Sequence, residues 1–352
     1  MPVLVSDIFN GDNFSNISMT SFVNSNIPFY PGLLSSMNLF SAEGVYTKYV
    51  SFDEQAGALK MIQTSPRGSP PSQADIPRAS SRVMQVVHLA REVEVNADEL
   101  LAMRAAGGLT LQTAQGLLAQ RVDGPIGLRS QINATMEHLY LGAIDGQVYD
   151  ADGTSLLYDW FTFFGVARPT AINIAVSTMG VDTTVLIAAG TAVRRAMILA
   201  MQGMPMGGGQ VVALCGDNFF DAITQCKEVT QARKLGATGM GVGGVIEALT
   251  PLLPYDSIRF AGITWINYRG SDDGLIAIPT AGARLFMTGV PGLFQSFFAP
   301  ADTFETISAV GLPYYLLQRS ERQTDSRRVF ELQSNPLVAC MRPRSLLRMT
   351  FS

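Results

Sequence analysis

Apolar and polar positions change rhythm several times along the chain. Leu128, Ile132, Met136, Leu139 and Ala143 are separated by four, four, three and four residues. That spacing predicts a helix with one apolar stripe, opened by Pro125 in its first turn and stopped by Gly146. A second helix is expected from a cap at Asp182 to about Met201, with Val185, Ala189, Val193, Ala196 and Ala200 inward. Phe219 to Val229 reads as a third. A shorter one opens at Asn96, has Asp98 and Glu99 in its first turn, and stops at Gly107-Gly108.

Elsewhere the pattern is that of strands. Val45 to Phe52 is β-branched and aromatic, Asp53 to Gly57 has turn chemistry, and Ala58 to Thr64 continues as a strand. Ser65 to Pro71 then breaks regular structure, and Arg82 to Val95 returns with Val83, Val87 and Leu89 on one side. The whole predicts a projecting β-loop with a proline-rich, basic tip. Val148-Tyr149 and Leu156-Leu157 flank an Asp-Gly turn and predict a short hairpin. Further strands are expected at Ile172 to Val176, Val211 to Leu214, Ile258 to Tyr268, Arg328 to Leu332 and Leu346 to Phe351. The fold class is α+β, with a mixed sheet and no repeated βαβ rhythm. Residues 1–44 read as an extended arm that needs a partner surface to bury Phe9, Phe14, Phe22, Phe29 and Tyr30.

Composition adds a reason for such partners. Charged residues make up 15% of the 352 positions and hydrophobic ones 47%, against about 25% charged in an ordinary soluble protein. Interface cores are depleted in charge, so self-assembly is the simplest explanation. A net charge of −4 with only four lysines argues against a chain whose main task is gripping nucleic acid. Three cysteines, Cys215, Cys226 and Cys340, have no metal-ligand spacing, and their odd number fits a reducing compartment. Neither a secretory signal nor a membrane span is read, which leads us to expect a soluble, cytoplasmic product.

Four patterns could carry chemistry, and each lacks a necessary part. Gly239-Met240-Gly241-Val242-Gly243-Gly244 satisfies the dinucleotide fingerprint literally, but no buried strand precedes it and no acid stands about twenty residues on. Met206 to Gly209 lacks the Lys-Ser/Thr of a phosphate loop. Asp150-Ala151-Asp152-Gly153 resembles the start of a calcium loop, yet Phe161 occupies its twelfth position. His88 and His138 have no nucleophile elbow to serve. A glycine-loop cofactor enzyme remains the alternative reading; neither catalytic residues nor a cofactor nor a metal is expected.

Three blocks resemble the major capsid protein E family, the group that includes the phage lambda shell subunit. The first runs from Thr20 to Pro71, with Pro28, Pro31-Gly32-Leu33, Leu39-Phe40, Val45, Thr47 and Arg67-Gly68 followed by Pro70. The second joins Leu139, Gly142-Ala143 and Gly146 to Asp150 and Asp152-Gly153. The third has Ala299-Pro300-Ala301-Asp302, Glu305, Gln333 to Leu337 and Arg342-Pro343. Val212 to Asp217 and Ile258 to Tyr268 also match, so the resemblance covers nearly the whole chain.

The resemblance implies the tailed-phage capsid (Hong Kong 97-like) fold: N-terminal arm, extended β-loop, peripheral domain with a long spine helix, and axial domain. On this chain these fall at 1–44, 45–95, 96–176 and mainly 177–324, with 325–352 as C-terminal strands closing the fold. It implies a head shell protein that forms hexamers and pentamers around a packaged genome in a virion. Partners would be other copies of itself, with scaffolding, portal and decoration proteins, and packaged DNA only loosely on the inner face; no membrane partner is expected. Arg67, Arg78 and Arg82 give the loop a positive balance on an acidic chain, and are the expected intersubunit contacts.

Overall fold

The computed structural model describes residues 32–56, 78–99, 111–124, 126–174, 184–201, 204, 207–237, 255–271, 276–306, 308–320 and 327–351. Outside these lie most of the arm, Arg67 and the rest of the loop tip, Asp182, the Gly107-Gly108 stop and the Gly239–Gly244 run. The described residues between 42 and 115 and between 297 and 337 form one compact unit. Those between 28 and 41, between 116 and 296, and from 338 onward form another.

The first unit is built on an antiparallel sheet. Strand β14 (Arg327–Ser334) lies between β13 (Tyr315–Ser320) and β4 (Leu89–Asn96), with Leu332 opposite Leu316 and Phe330 opposite Val93. Val95, Tyr315, Leu316, Leu317, Phe330 and Leu332 are its buried apolar residues. A separate two-stranded ribbon pairs β2 (Tyr49–Ala56) with β3 (Arg78–Gln85), in register from Tyr49–Gln85 to Ala56–Arg78. The expected turn at Asp53–Gly57 is therefore corrected: residues 53–56 continue the strand, and their partner is 78–81 rather than 58–64. Local turn chemistry lost to a partner strand that sequence reading placed further along. Likewise 82–95 is two strands of different sheets, broken at 86–88, where the Val87 amide donates to Pro336 O.

In the second unit a six-stranded mixed sheet runs β7 (Ile172–Ile174), β16 (Leu347–Phe351), β11 (Gly282–Thr288), β8 (Gln210–Cys215), β10 (Ile263–Asn267), β9 (Ser257–Phe260). The pairs β7–β16 and β8–β10 are parallel and the others antiparallel. Every residue of β8 from Val211 to Cys215 is buried, so both faces of the sheet centre are covered. On one face lies helix α3 (Leu128–Asp145), ended by Gly146 in the left-handed conformation (φ 81°), which a side chain would strain. All five residues of its expected stripe are buried. It starts at Leu128, after an N-cap at Gly127, and is preceded by helix α2 (Leu111–Asp123), which the sequence reading did not include.

The opposite face takes helix α5 (Val185–Met201) and helix α6 (Asp217–Gln225). Phe219 of α6 stacks on Phe351 (centroids 4.2 Å apart) and lies 6.2 Å from Trp265. The expected helix 219–229 is two helices, α6 and α7 (Lys227–Ala237), parted at Cys226. The expected strand 258–268 is the hairpin β9–β10, because Ala261 (φ 55°) and Gly262 (φ 75°) form a tight turn with both central residues at positive φ. The buried stripe of α5 is Leu186, Gly190, Val193, Met197, Ala200 and Met201; Ala196 faces outward, against expectation. Hairpin β5 (Gln147–Tyr149) and β6 (Leu156–Asp159) forms where the Asp-Gly turn predicts it. Two short helices, α1 (Leu33–Ser36) and α4 (Trp160–Phe164), belong to the same unit. A further sheet has the order β1 (Ser41–Gly44), β12 (Phe294–Phe298), β15 (Pro336–Cys340).

Candidate assembly surface

The ribbon is fastened at one end. Val50 and Phe52 are buried, and Phe52 meets Phe297 edge-on at 5.6 Å. Tyr49 and Val83 are exposed, and the Lys48 ammonium lies 5.3 Å from the Tyr49 ring centre. Of the expected contact arginines, Arg82 is half-buried opposite Phe52, and Arg78 pairs with Ala56 at the limit of the described residues. Arg67 lies outside the described residues.

A second exposed feature is a turn held from inside by hydroxyls. Thr306 Oγ1 donates to Ala301 O at 2.8 Å and lies 2.8 Å from Thr303 Oγ1, and the Thr306 amide donates to Thr303 O. These bonds order the turn while leaving Phe304 97% exposed between Asp302 and Glu305. A fully wet phenylalanine on such a turn is a candidate interaction feature.

Two polar nodes hold the second unit. Glu137 is buried on α3, and accepts from the Leu34 amide (2.9 Å), the Ser35 amide (3.1 Å), the Ser35 hydroxyl (2.9 Å) and the Tyr268 hydroxyl (3.2 Å). It serves as the N-cap that Gly32 cannot supply to α1. Asp145, the last residue of α3, takes ion pairs from Arg168, Arg284 and Arg348. Arg168 also donates to Gln147 Oε1 at 2.9 Å. Burial pulls the Arg168 and Arg284 guanidiniums below their usual range, against the pull of Asp145. Sequence reading missed both nodes. Their members lie on α1, α3, β5, β11, β16 and two loops, and Glu137 carries no signal beyond its place beside a helix stripe.

The residues tested for chemistry have structural partners. His88 Nδ1 lies 2.7 Å from Asn335 Oδ1, whose amide donates to Pro300 O, and His138 Nε2 lies 3.0 Å from Tyr149 O. Asp152 closes its turn by accepting from the Ser155 hydroxyl and the Thr154 and Ser155 amides, which hold its carboxyl well below the usual range. The three cysteines are free and buried, and burial pushes the Cys340 thiol up to about 12. Among the described residues no cluster of three or more His, Cys, Asp or Glu could hold a metal ion, and no helix is long and apolar enough to cross a membrane.

A mixed sheet on a long helix, with a strand ribbon and a second sheet unit, is the architecture of tailed-phage capsid proteins. The chain matches the crystal structure of the putative capsid protein of a prophage from E. coli CFT073, with a TM-score of 0.56, 12% identity, and 96% of this chain and 99% of that one covered. It also matches the capsid structure of cyanophage P-SCSP1u, with a TM-score of 0.51, 11% identity, and 93% and 90% covered. The major capsid protein of Pseudomonas phage KPP10 is 24% identical over 309 residues, 83% of this chain and 84% of that one. The model of the family Phage major capsid protein E matches residues 18–351, and the chain belongs to that family. Its work is structural, as a subunit of a phage capsid in the virion.

Proposed function

We propose that the chain assembles through hexamers and pentamers into a closed icosahedral head around the packaged genome, and performs no catalysis. The observation that carries this reading is the amount of large apolar side chain left in water by a single copy. Phe304, Leu199, Tyr46, Val83 and Ile198 are 97, 78, 65, 58 and 53% exposed. Scattered exposed leucines are ordinary, but these sit on ordered strands, helices and turns of a chain with 15% charged residues. In this reading residues 1–44 are the arm, 45–95 the extended loop, 96–176 the peripheral domain on the spine helix α3, 177–324 mainly the axial domain, and 325–352 the closing strands. Arg67, Arg78 and Arg82 contact a neighbouring subunit. Free, buried cysteines suit assembly in the reducing host cytoplasm. The acidic balance suits loose rather than gripping contact with DNA, and scaffolding, portal and decoration proteins complete the partners.

Size-exclusion chromatography with negative-stain microscopy of the purified full chain tests it. Rings or shells are expected; a well-behaved monomer at high concentration overturns it.

A further inference from the structure

Helix α5 is apolar almost all round. Its buried stripe accounts for six of its residues. The opposite side presents Ile187, Ala188, Ala192, Ile198 and Leu199 to water, and the Thr191 hydroxyl is turned back onto Ile187 O. A helix of this kind is normally enclosed on every side, and this one is enclosed on one. Its two charges are Arg194 and Arg195, both exposed. At helical spacing Arg195 falls opposite the buried stripe, in the middle of the open face. Neither arginine has an ion-pair partner among the described residues.

The complementary feature is in the same unit. Helix α6 buries Phe219, Phe220 and Ile223, and turns Asp217, Asn218, Asp221 and Gln225 outward. Asp217 and Asp221 are four residues apart, hence on one side of the helix. Among the described residues neither carboxylate has an ion-pair or hydrogen-bond partner. Arg194 lies over Gly262 of the β9–β10 turn, so one copy carries an apolar face with the unpaired Arg195 at its middle and a separate polar face with unpaired carboxylates.

We infer that the open face of α5 docks against the Asp217–Asp221 face of α6 in a second copy of this chain, head to tail. The occupant is another copy because the negative charge that Arg195 lacks is present on this chain, on Asp217 and Asp221. Two different patches in contact make a heterologous interface, and such an interface closes into a ring when repeated about an axis. The apolar residues exclude water around the pairs, which fix register more than they add affinity. This rests on the assembly reading above, and names the surface that reading needs within a ring.

Charge exchange on the full chain tests it. Arg195→Glu alone and Asp221→Arg alone should each lower the fraction of protein in rings or shells about tenfold or more, as for loss of an interfacial charge pair. Their melting temperatures should stay near that of the unaltered chain, because both residues are exposed. The combined variant Arg195→Glu with Asp221→Arg should recover particles. Leu199→Ser should weaken assembly, and Asp221→Arg should not rescue it. Normal particles from both single variants, or no recovery in the combined one, overturns the contact. A large drop in melting temperature for Arg195→Glu also overturns it, since α5 would then be covered by its own chain. If the unaltered chain forms no particles, the assembly reading itself fails and this contact falls with it.

Discussion

Arg284 and Arg348 are direct cross-strand partners on β11 and β16, and both are ion-paired to Asp145. Like charges opposed across a ladder destabilise it. Here the last residue of the spine helix sits over the pair and turns a repulsion into a joint between helix and sheet. Arg168 adds a third guanidinium, donating to Asp145 O at 2.5 Å and to Oδ2 at 3.2 Å. The carboxylate side chain is 18% exposed, so water screens it little.

Asp145→Asn should therefore be costly. It leaves three partly buried guanidiniums around a neutral amide. Breaking such a pair from one side costs about 3–5 kcal/mol, a large share of a domain's roughly 5–15 kcal/mol. Denaturant unfolding of the purified chain should show the midpoint falling accordingly. Adding Arg284→Met should recover part of the loss, by removing one of the opposed charges. A neutral Asp145→Asn would mean that water, rather than Asp145, balances these arginines.

Gly190→Ala should destabilise, against helix propensity. Alanine in a helix interior normally gains about 1 kcal/mol over glycine. A Cβ at Gly190, however, would sit 2.8 Å from Ala261 O and 3.0 Å from Ala261 Cβ, on the β9–β10 turn. Both Ala261 and Gly262 hold positive φ there, so the turn has little freedom to retreat. Thermal melting decides it: a lower midpoint is expected, and a higher one would show that α5 can move off the sheet.

Asp159 gives the fold an acid-sensitive element. It caps α4 by accepting from the Phe161 and Thr162 amides at 3.0 and 3.2 Å, and takes a bond from the Gln147 side chain. Burial pushes its carboxyl up, but these bonds outweigh it and hold it below the usual range. Its folded pKa is thus depressed, so its contribution is present above the unfolded value of about 3.9 and is lost as pH falls through the folded value. Asp159→Ala should cost about 1 kcal/mol at neutral pH. The gap between variant and parent should shrink below about pH 4. An equal gap at pH 7 and pH 3 would assign the loss to something other than the charged cap.

The spine helix was legible because its apolar spacing contrasts with polar neighbours and Gly146 ends it. Helix α5 was legible as a helix, but not its orientation. With alanine, isoleucine, leucine and methionine on nearly every side, the period has no contrast to read, and the expected stripe included the exposed Ala196. Strand pairing was the weakest point. Residue 330 pairs with residue 93, and 349 with 283, at separations no local pattern reports. The same holds for the Asp145 node, whose arginines come from a loop and two strands. The capsid family was legible through ordered short motifs, and the family match over residues 18–351 carries it.

The ribbon separates folding from assembly most directly. Its described part is paired as far as Ala56 and Arg78. Val50, Phe52 and the Phe297 contact fasten the other end, with Val50 5% and Phe52 4% exposed. The intervening residues 57–77 include Pro66, Pro70, Pro71 and Pro77, which cannot donate to a ladder, and the basic Arg67. Replacing 57–77 with a short Gly-Ser linker keeps the β2–β3 register and both anchors. Closing a shorter loop changes its entropy by well under a few kcal/mol, so the melting temperature should stay close to the parent's. Assembly should stop at isolated rings or subunits, because the segment proposed to reach a neighbour is gone. Reversing Arg67, Arg78 and Arg82 to glutamate in the full-length chain should produce the same arrest without shortening anything. Melting and electron microscopy on one preparation separate the outcomes. Normal shells from the linker variant would remove the loop from the interface, and an unfolded product would place residues 57–77 in the core. Arrest by the linker but not by charge reversal would leave the loop in the interface and take its arginines out of it.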